Sequence, residues 1–138
     1  MNILLLSHGA FCEGLLDSYR MIAGKNDCIH ALALDDDGIA TFAKRLQEKT
    51  SVLLKDADLL IYTDIKGGTP FNEAYQLYLK NQEHIRLVAG MNLPMLIETG
   101  LSLENNTLQS AFELAIACGQ SSVEGIIEED DSEDEIDF

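Results

Sequence analysis

Residues 58–79 read DLLIYTDIKGGTPFNEAYQLYL, and they join the two local patterns from which the chain is built. The first six are almost continuously apolar and of strand length. Asp64 to Pro70 then bring the glycines and proline of a turn. From Phe71 onward the apolar residues Phe71, Ala74, Tyr75, Tyr78 and Leu79 recur at i, i+3, i+4, i+7 and i+8, the spacing of a helix. A strand that is apolar along its whole length, rather than at alternate residues, is buried on both faces. Parallel sheets covered by helices bury their strands in this way.

The same order repeats on either side. Short apolar runs lie at 3–6 (ILLL), 28–34 (CIHALAL) and 85–89 (IRLVA), each leading into a turn. Helical stripes follow. One is Cys12, Leu15, Leu16, Tyr19, Ile22 and Ala23, with Gly24 as its stop. A second is Ile39, Phe42, Ala43, Leu46 and Leu53, and a late one is Leu108, Ala111, Phe112, Ala115 and Cys118. A shorter helix is predicted from Pro94 to Thr99. The alternation predicts a three-layer α/β domain: an open sheet of four parallel strands with helices on both faces. Ser122–Ile127 has some strand character and fits none of these units. It is expected to form a fifth strand, at the sheet edge or with another subunit.

The chain has 138 residues, 24 acidic against 9 basic, and a formal charge of −15. Residues 128–138 (EEDDSEDEIDF) hold 8 of the acids and no basic residue; removing them leaves 16 against 9, or −7. The expectation is one domain over 1–127 and an acidic, disordered tail over 128–138. The acidic balance argues against nucleic acid and against anionic membranes as partners. No run approaches the ~20 apolar residues of a membrane span, and the start lacks the features of a signal peptide. Cys12, Cys28 and Cys118 are odd in number and widely spaced, which predicts reduced, structural thiols, a cytoplasmic location, and neither a zinc site nor a disulfide framework.

In open α/β sheets, ligands bind beyond the carboxyl ends of the strands. That directs attention to 7–11, 35–38, 64–70 and 90–94. The first strand ends Ser7-His8-Gly9. Imidazole is a nucleophile that titrates near neutrality, although a histidine there would equally well cap the next helix. The Gly67-Gly68 turn offers N–H groups to an anion. Thr69-Pro70 reads as a helix start with Thr69 at the N-cap, and a helix N-terminus suits phosphate. The same residues also make an ordinary strand-to-helix turn. Neither G-x-x-x-x-G-K-[ST] nor G-x-G-x-x-G is present, which disfavours a nucleotide site. Asp64 shares the rim with His8. If the first and third strands are neighbours, it would orient the imidazole; otherwise it caps its own turn. Asp35-Asp36-Asp37-Gly38 reads as a turn and N-cap rather than a metal site. His30 and His84 are assigned structural roles.

With these residues assembled, the chain resembles enzyme IIA of the mannose family of the phosphoenolpyruvate-dependent sugar phosphotransferase system. The resemblance rests on Ser7-His8-Gly9, on Asp64 to Asn72 (DIKGGTPFN), and on Gly90 to Leu96 (GMNLPML) followed by Glu98-Thr99. It implies that His8 accepts a phosphoryl group from the phosphocarrier HPr. His8 then passes it to a IIB protein, which serves the membrane IIC/IID components. It further implies that Asp64 orients His8, that Gly67, Gly68 and Thr69 hold the phosphoryl oxygens, and that Phe11, Lys66, Met91 and Asn92 belong to the docking rim. No metal or cofactor is implied. A homodimer is implied, in which a C-terminal strand crosses to the partner's sheet; Ser122–Ile127 would be that strand. The acidic end suggests a stand-alone subunit rather than a IIA–IIB fusion. Lys66 departs from the apolar or aromatic residue of some relatives. A response-regulator receiver shares the alternation, but it needs an acidic pair where Ser7-His8-Gly9 stands. The sugar stays open.

Overall fold

The computed structural model describes residues 1–128. Strands β1 (Asn2–His8), β2 (Ile29–Leu34), β3 (Leu59–Thr63) and β4 (Ile85–Ala89) form one parallel sheet in the order β2-β1-β3-β4. Helices α1 (Phe11–Ala23), α2 (Ile39–Leu53), α3 (Thr69–Lys80), α4 (Leu93–Leu101) and α5 (Leu108–Ser121) cover both faces. The predicted architecture is therefore the observed one.

The apolar runs explain the layering. Side chains alternate across a strand, so Ile3 and Leu5 pack with Leu15 and Tyr19 of α1, Leu96 of α4 and Ala111 of α5. Leu4 and Leu6 pack with Phe42 and Leu46 of α2 and Ala74 of α3 on the other face. Ile3 to Leu6 are all 0% exposed. Burying each such side chain contributes about 1.5–3 kcal/mol, and trimming one to Ala would cost about 2–5 kcal/mol.

The strand order creates the site. The chain leaves β1 to build β2 on one side, whereas β3 adds on the other. α1 packs on one face and α3 on the opposite face. The connections that follow β1 and β3 thus diverge and open a crevice between their carboxyl ends, where such sheets bind ligands. β1 pairs with β3 only as far as Leu6 opposite Thr63. Beyond that point β1 pairs with β2 alone, through Ser7 and His8, and His8 and Asp64 stand at the crevice.

Several expectations change. Thr69 is the first residue of α3 and not its cap; the N-cap is Gly68, and no side chain caps this helix. Ser122–Ile127 forms no strand in this chain: residues 123–128 are without regular structure, and Val123, Ile126 and Ile127 are 76–83% exposed. Among the described residues the sheet has no fifth strand, so these apolar side chains stay exposed. Cys28 is exposed rather than a buried hydrophobe, and only Cys12 of the three cysteines is fully buried. The turn and N-cap expected before Ile39 are, by contrast, present: Gly38 is the N-cap of α2, and Asp35 closes the turn by accepting the Asp37 N–H at 2.9 Å. The stripe members Ile22, Ile39, Tyr75 and Leu79 lie on the outer flanks of their helices and stay exposed. The predicted tail from residue 129 on lies outside the described residues.

Candidate functional site

His8 is the last residue of β1, and its side chain is 46% exposed, whereas Asp64 beside it is 13% exposed. One oxygen of Asp64, Oδ2, accepts both the His8 backbone N–H at 2.9 Å and the His8 ring at Nδ1 at 2.7 Å. Its other oxygen accepts the Ile65 N–H at 2.9 Å. Burial pushes the Asp64 carboxyl up. The hydrogen bonds from His8 and Ile65 and the nearby imidazole outweigh that and hold it below the ordinary carboxylate value. Asp64 is therefore ionised at neutral pH. An ionised carboxylate only accepts, so Nδ1 must carry the ring hydrogen when the imidazole is neutral, which leaves the Nε2 lone pair free.

The loop after β3 faces that lone pair. Gly68 packs against the ring so closely that a Cβ there would lie 2.7 Å from Cε1 and 3.2 Å from Nε2 of His8. Gly67 has φ +85°, a conformation that glycine adopts without strain. The backbone N–H groups of Lys66, Gly67, Gly68 and Thr69 donate to no acceptor among the described residues. They sit at the start of α3, where the helix dipole places partial positive charge. The arrangement is a set of free donors beside a nucleophilic nitrogen, suited to the oxygens of a phosphoryl group. The Thr69 hydroxyl is likewise without a partner among the described residues and is partly exposed beside them.

The predicted rim divides. Phe11 is 51% exposed and Lys66 is exposed. Met91 is 4% exposed and belongs to the core beneath the α1, α4 and α5 face, so it is not a rim residue. Asn92 is committed internally. Its oxygen caps α4 by accepting the Met95 N–H at 3.1 Å, and its amide nitrogen donates to the Gly119 carbonyl of α5 at 3.0 Å. Both residues follow β4, which lies beyond β3 from His8, and the Asn92-Leu93-Pro94 start of α4 turns them inward.

Three contributors escaped the sequence reading. Ile65, 57% exposed, adds apolar surface next to Asp64. Asn72 donates from its amide to the Gly67 carbonyl at 3.1 Å and pins the glycine turn to α3. Ser7, 0% exposed, binds the turn that follows His8. A serine that interrupts an otherwise apolar strand was the available signal for the last. A residue quoted within a motif, as Asn72 was, gives no hint of its bonding.

Residues 2–116 match the family model described as PTS system fructose IIA component. The chain is 28% identical over 123 residues to the fructose-specific EIIA component of Bacillus subtilis strain 168, covering 88% of this chain and 84% of that one. It is 25% identical over 126 residues to the mannose-specific EIIAB component of Escherichia coli strain K12, covering 90% of this chain but 39% of that longer protein. Among solved structures, it is similar to the mannose/sorbose specific IIA subunit of the phosphotransferase system from Enterococcus faecalis. That likeness has a TM-score of 0.80 and 29% identity, and it covers 95% of this chain and 98% of the other.

Proposed function

Because the chain belongs to the family of fructose- and mannose-type IIA components of the sugar phosphotransferase system, we propose that His8 is its phosphoryl carrier. His8 receives the group from phospho-HPr and hands it to a IIB protein, which in turn serves the membrane IIC/IID components. The observation that carries this reading is the Asp64 bond to Nδ1, 2.7 Å long, which turns Nε2 outward toward the free N–H groups of the glycine loop.

The step is a displacement at phosphorus. The Nε2 lone pair forms the new N–P bond as the bond from phosphorus to the donor's histidine nitrogen breaks. The Nδ1 hydrogen stays in place, and positive charge develops on the His8 ring. Asp64 offsets that charge, while the N–H groups of Lys66, Gly67, Gly68 and Thr69 meet the phosphoryl oxygens. Such transfers need positioning and charge stabilisation rather than covalent help from the protein. The second transfer, to IIB, runs the same displacement in reverse. A half-exposed ring on a shallow rim suits two protein partners that cover it in turn.

Phe11 and Ile65 supply apolar contact for those partners, and Lys66 adds a charge. Asp35, Asp36 and Asp37 are exposed on the loop that follows β2, the strand next to β1. With the −7 of residues 1–127, they favour a partner with basic residues around its own active histidine. No helix among the described residues is long and apolar enough to cross a membrane, and the reaction is assigned to the cytoplasm.

The reading includes a homodimer. The free edge of β4 is bordered by Phe71, Tyr75, Tyr78, Leu87 and Phe112, and Val123, Ile126 and Ile127 stand exposed on the same chain. Strand exchange through Ser122–Ile127 would bury both sets. Truncation before Ser122 is expected to shift sedimentation from dimer to monomer; unchanged dimers would refute the exchange.

The function is tested by incubating the protein with phosphoenolpyruvate, enzyme I and HPr. The expected product is one added phosphate by mass, labile in acid and absent from His8→Gln. Wild-type protein that stays unmodified with its cognate phosphocarrier would overturn the proposal.

A further inference from the structure

We infer that Ser7 is a positioning residue for His8, acting through the turn that joins β1 to α1; this rests on His8 being the phosphoryl carrier. Ser7 is 0% exposed at the end of a strand whose preceding four residues are Ile and Leu. A hydroxyl buried there is unfavourable unless it is hydrogen-bonded, and this one both donates and accepts. It donates to the Gly9 carbonyl at 2.7 Å and accepts the Cys12 N–H at 2.8 Å.

Those two bonds fall on either side of the turn. Ala10 is the N-cap of α1 and offers no side-chain cap, while Cys12 is the second residue of the helix. Ser7 therefore satisfies from the strand a donor that N-cap side chains ordinarily satisfy. Its other bond fixes the Gly9 carbonyl, and the Gly9 N–H is held by the Leu34 carbonyl of β2 at 2.7 Å. Gly9 itself has φ +60°. Both polar groups of the residue after His8 are thus tied down, one by Ser7 and one by β2.

His8 is suspended between this clamp and Asp64. Its backbone N–H and its ring Nδ1 must reach the same carboxylate oxygen, at 2.9 and 2.7 Å. That double contact requires one direction of the backbone as it leaves β1. Releasing the Gly9 carbonyl lets the turn rotate, and the ring bond, which depends on both backbone and χ angles, is lost before the backbone bond. Nδ1 then no longer holds the hydrogen exclusively, and a share of the rings present Nε2–H, which cannot attack phosphorus.

The test compares wild type with Ser7→Ala, Ser7→Cys and Ser7→Thr in the full chain. ¹⁵N shifts of the neutral His8 ring report the tautomer without any phosphoryl donor. Transfer from phospho-HPr is measured as kcat and KM on protein shown folded by circular dichroism. The expected result is a single Nδ1–H tautomer in wild type and a mixture in Ser7→Ala. Its kcat falls roughly ten- to a hundredfold, with KM for phospho-HPr unchanged. Ser7→Cys, which keeps the volume but bonds weakly, falls between, and Ser7→Thr restores both readouts. A role confined to stability would lower the unfolding midpoint and leave tautomer and kcat of the folded protein alone. A folded Ala or Cys variant with wild-type tautomer and kcat overturns the inference, as does a folded Thr variant as impaired as Ala. If wild type is never phosphorylated, the carrier function fails, while the tautomer comparison still decides the role of Ser7.

Discussion

The two ends of the sheet each carry a histidine–aspartate pair, and the pairs look alike at the level of a distance. His8 Nδ1 is 2.7 Å from Asp64 at the carboxyl end; His84 Nδ1 is 2.9 Å from Asp58 at the amino end. What surrounds them differs. Asp64 is 13% exposed and takes three hydrogen bonds, two of them from backbone N–H groups. The Asp58 side chain is 39% exposed and is bonded by the His84 ring alone among the described residues. The larger difference is the polarity of the helices. At the carboxyl end the ring touches Gly68, the N-cap of α3, with free N–H donors around it. At the amino end α2 and α3 finish, and the His84 N–H donates to the Asn81 carbonyl just past α3. Helix C-termini carry partial negative charge and repel an anion. A parallel α/β sheet thus has one end that favours an anion and one that does not, and under the proposed function the same pair of residues would accept a phosphoryl group only at the first.

The sharpest break of this comparison removes each ring in turn. His8→Gln is expected to abolish incorporation of phosphate from phosphoenolpyruvate, enzyme I and HPr. His84→Gln should incorporate phosphate at the wild-type rate. Label remaining in His8→Gln and lost in the double variant would show that the amino end also accepts phosphate.

The next effect separates two adjacent glycines. Gly68 has φ −78°, which any residue adopts, yet a Cβ there would lie 2.7 Å from the His8 ring. Gly67 has φ +85° and nothing within 4 Å of its Cβ direction. Gly68→Ala should therefore keep the fold, displace the ring, and slow transfer by about a hundredfold. Gly67→Ala should instead destabilise the loop by about 1–2 kcal/mol through its backbone. Urea midpoints and transfer rates, measured on both variants, distinguish them. Equal rates in Gly68→Ala and wild type would mean that the ring has room to yield.

The distinction between these glycines marks the limit of what could be read from sequence. The apolar runs located all four strands, because a strand buried on both faces leaves an unmistakable continuous pattern. The same runs, together with the rule for strand carboxyl ends, pointed to His8, Asp64 and the glycine loop. Their juxtaposition needed the strand order, because Asp64 meets His8 only when β3 lies beside β1. Met91 and Asn92 misled because a turn at the right end of a strand was read as surface, while α4 turned both residues inward. Thr69 was read one position too early, since Gly68 in extended conformation ends the loop before it. The expectation for Ser122–Ile127 rests on its apolar residues, and those pack on nothing among the described residues.

The smallest effects concern the carboxylates. Asp64→Asn removes the charge opposite the ring and allows either tautomer, so transfer should slow about tenfold or more; Asp58→Asn should leave it unchanged. Asp64 also makes stability depend on pH. The Asp64 carboxyl titrates lower in the folded protein than its ordinary value because His8 and Ile65 donate to it. A depressed folded value means that the unfolded chain binds protons more readily. The contribution of Asp64 is then whole above the unfolded value of about 3.9. It is lost as pH falls through the lower folded value. The urea midpoint of wild type should accordingly exceed that of Asp64→Asn at pH 7, and the gap should close on acidification below the ordinary carboxylate range. A gap that persists unchanged through that titration would remove the charge of Asp64, as distinct from its hydrogen bonds, from the forces that hold the carboxyl end of the sheet together.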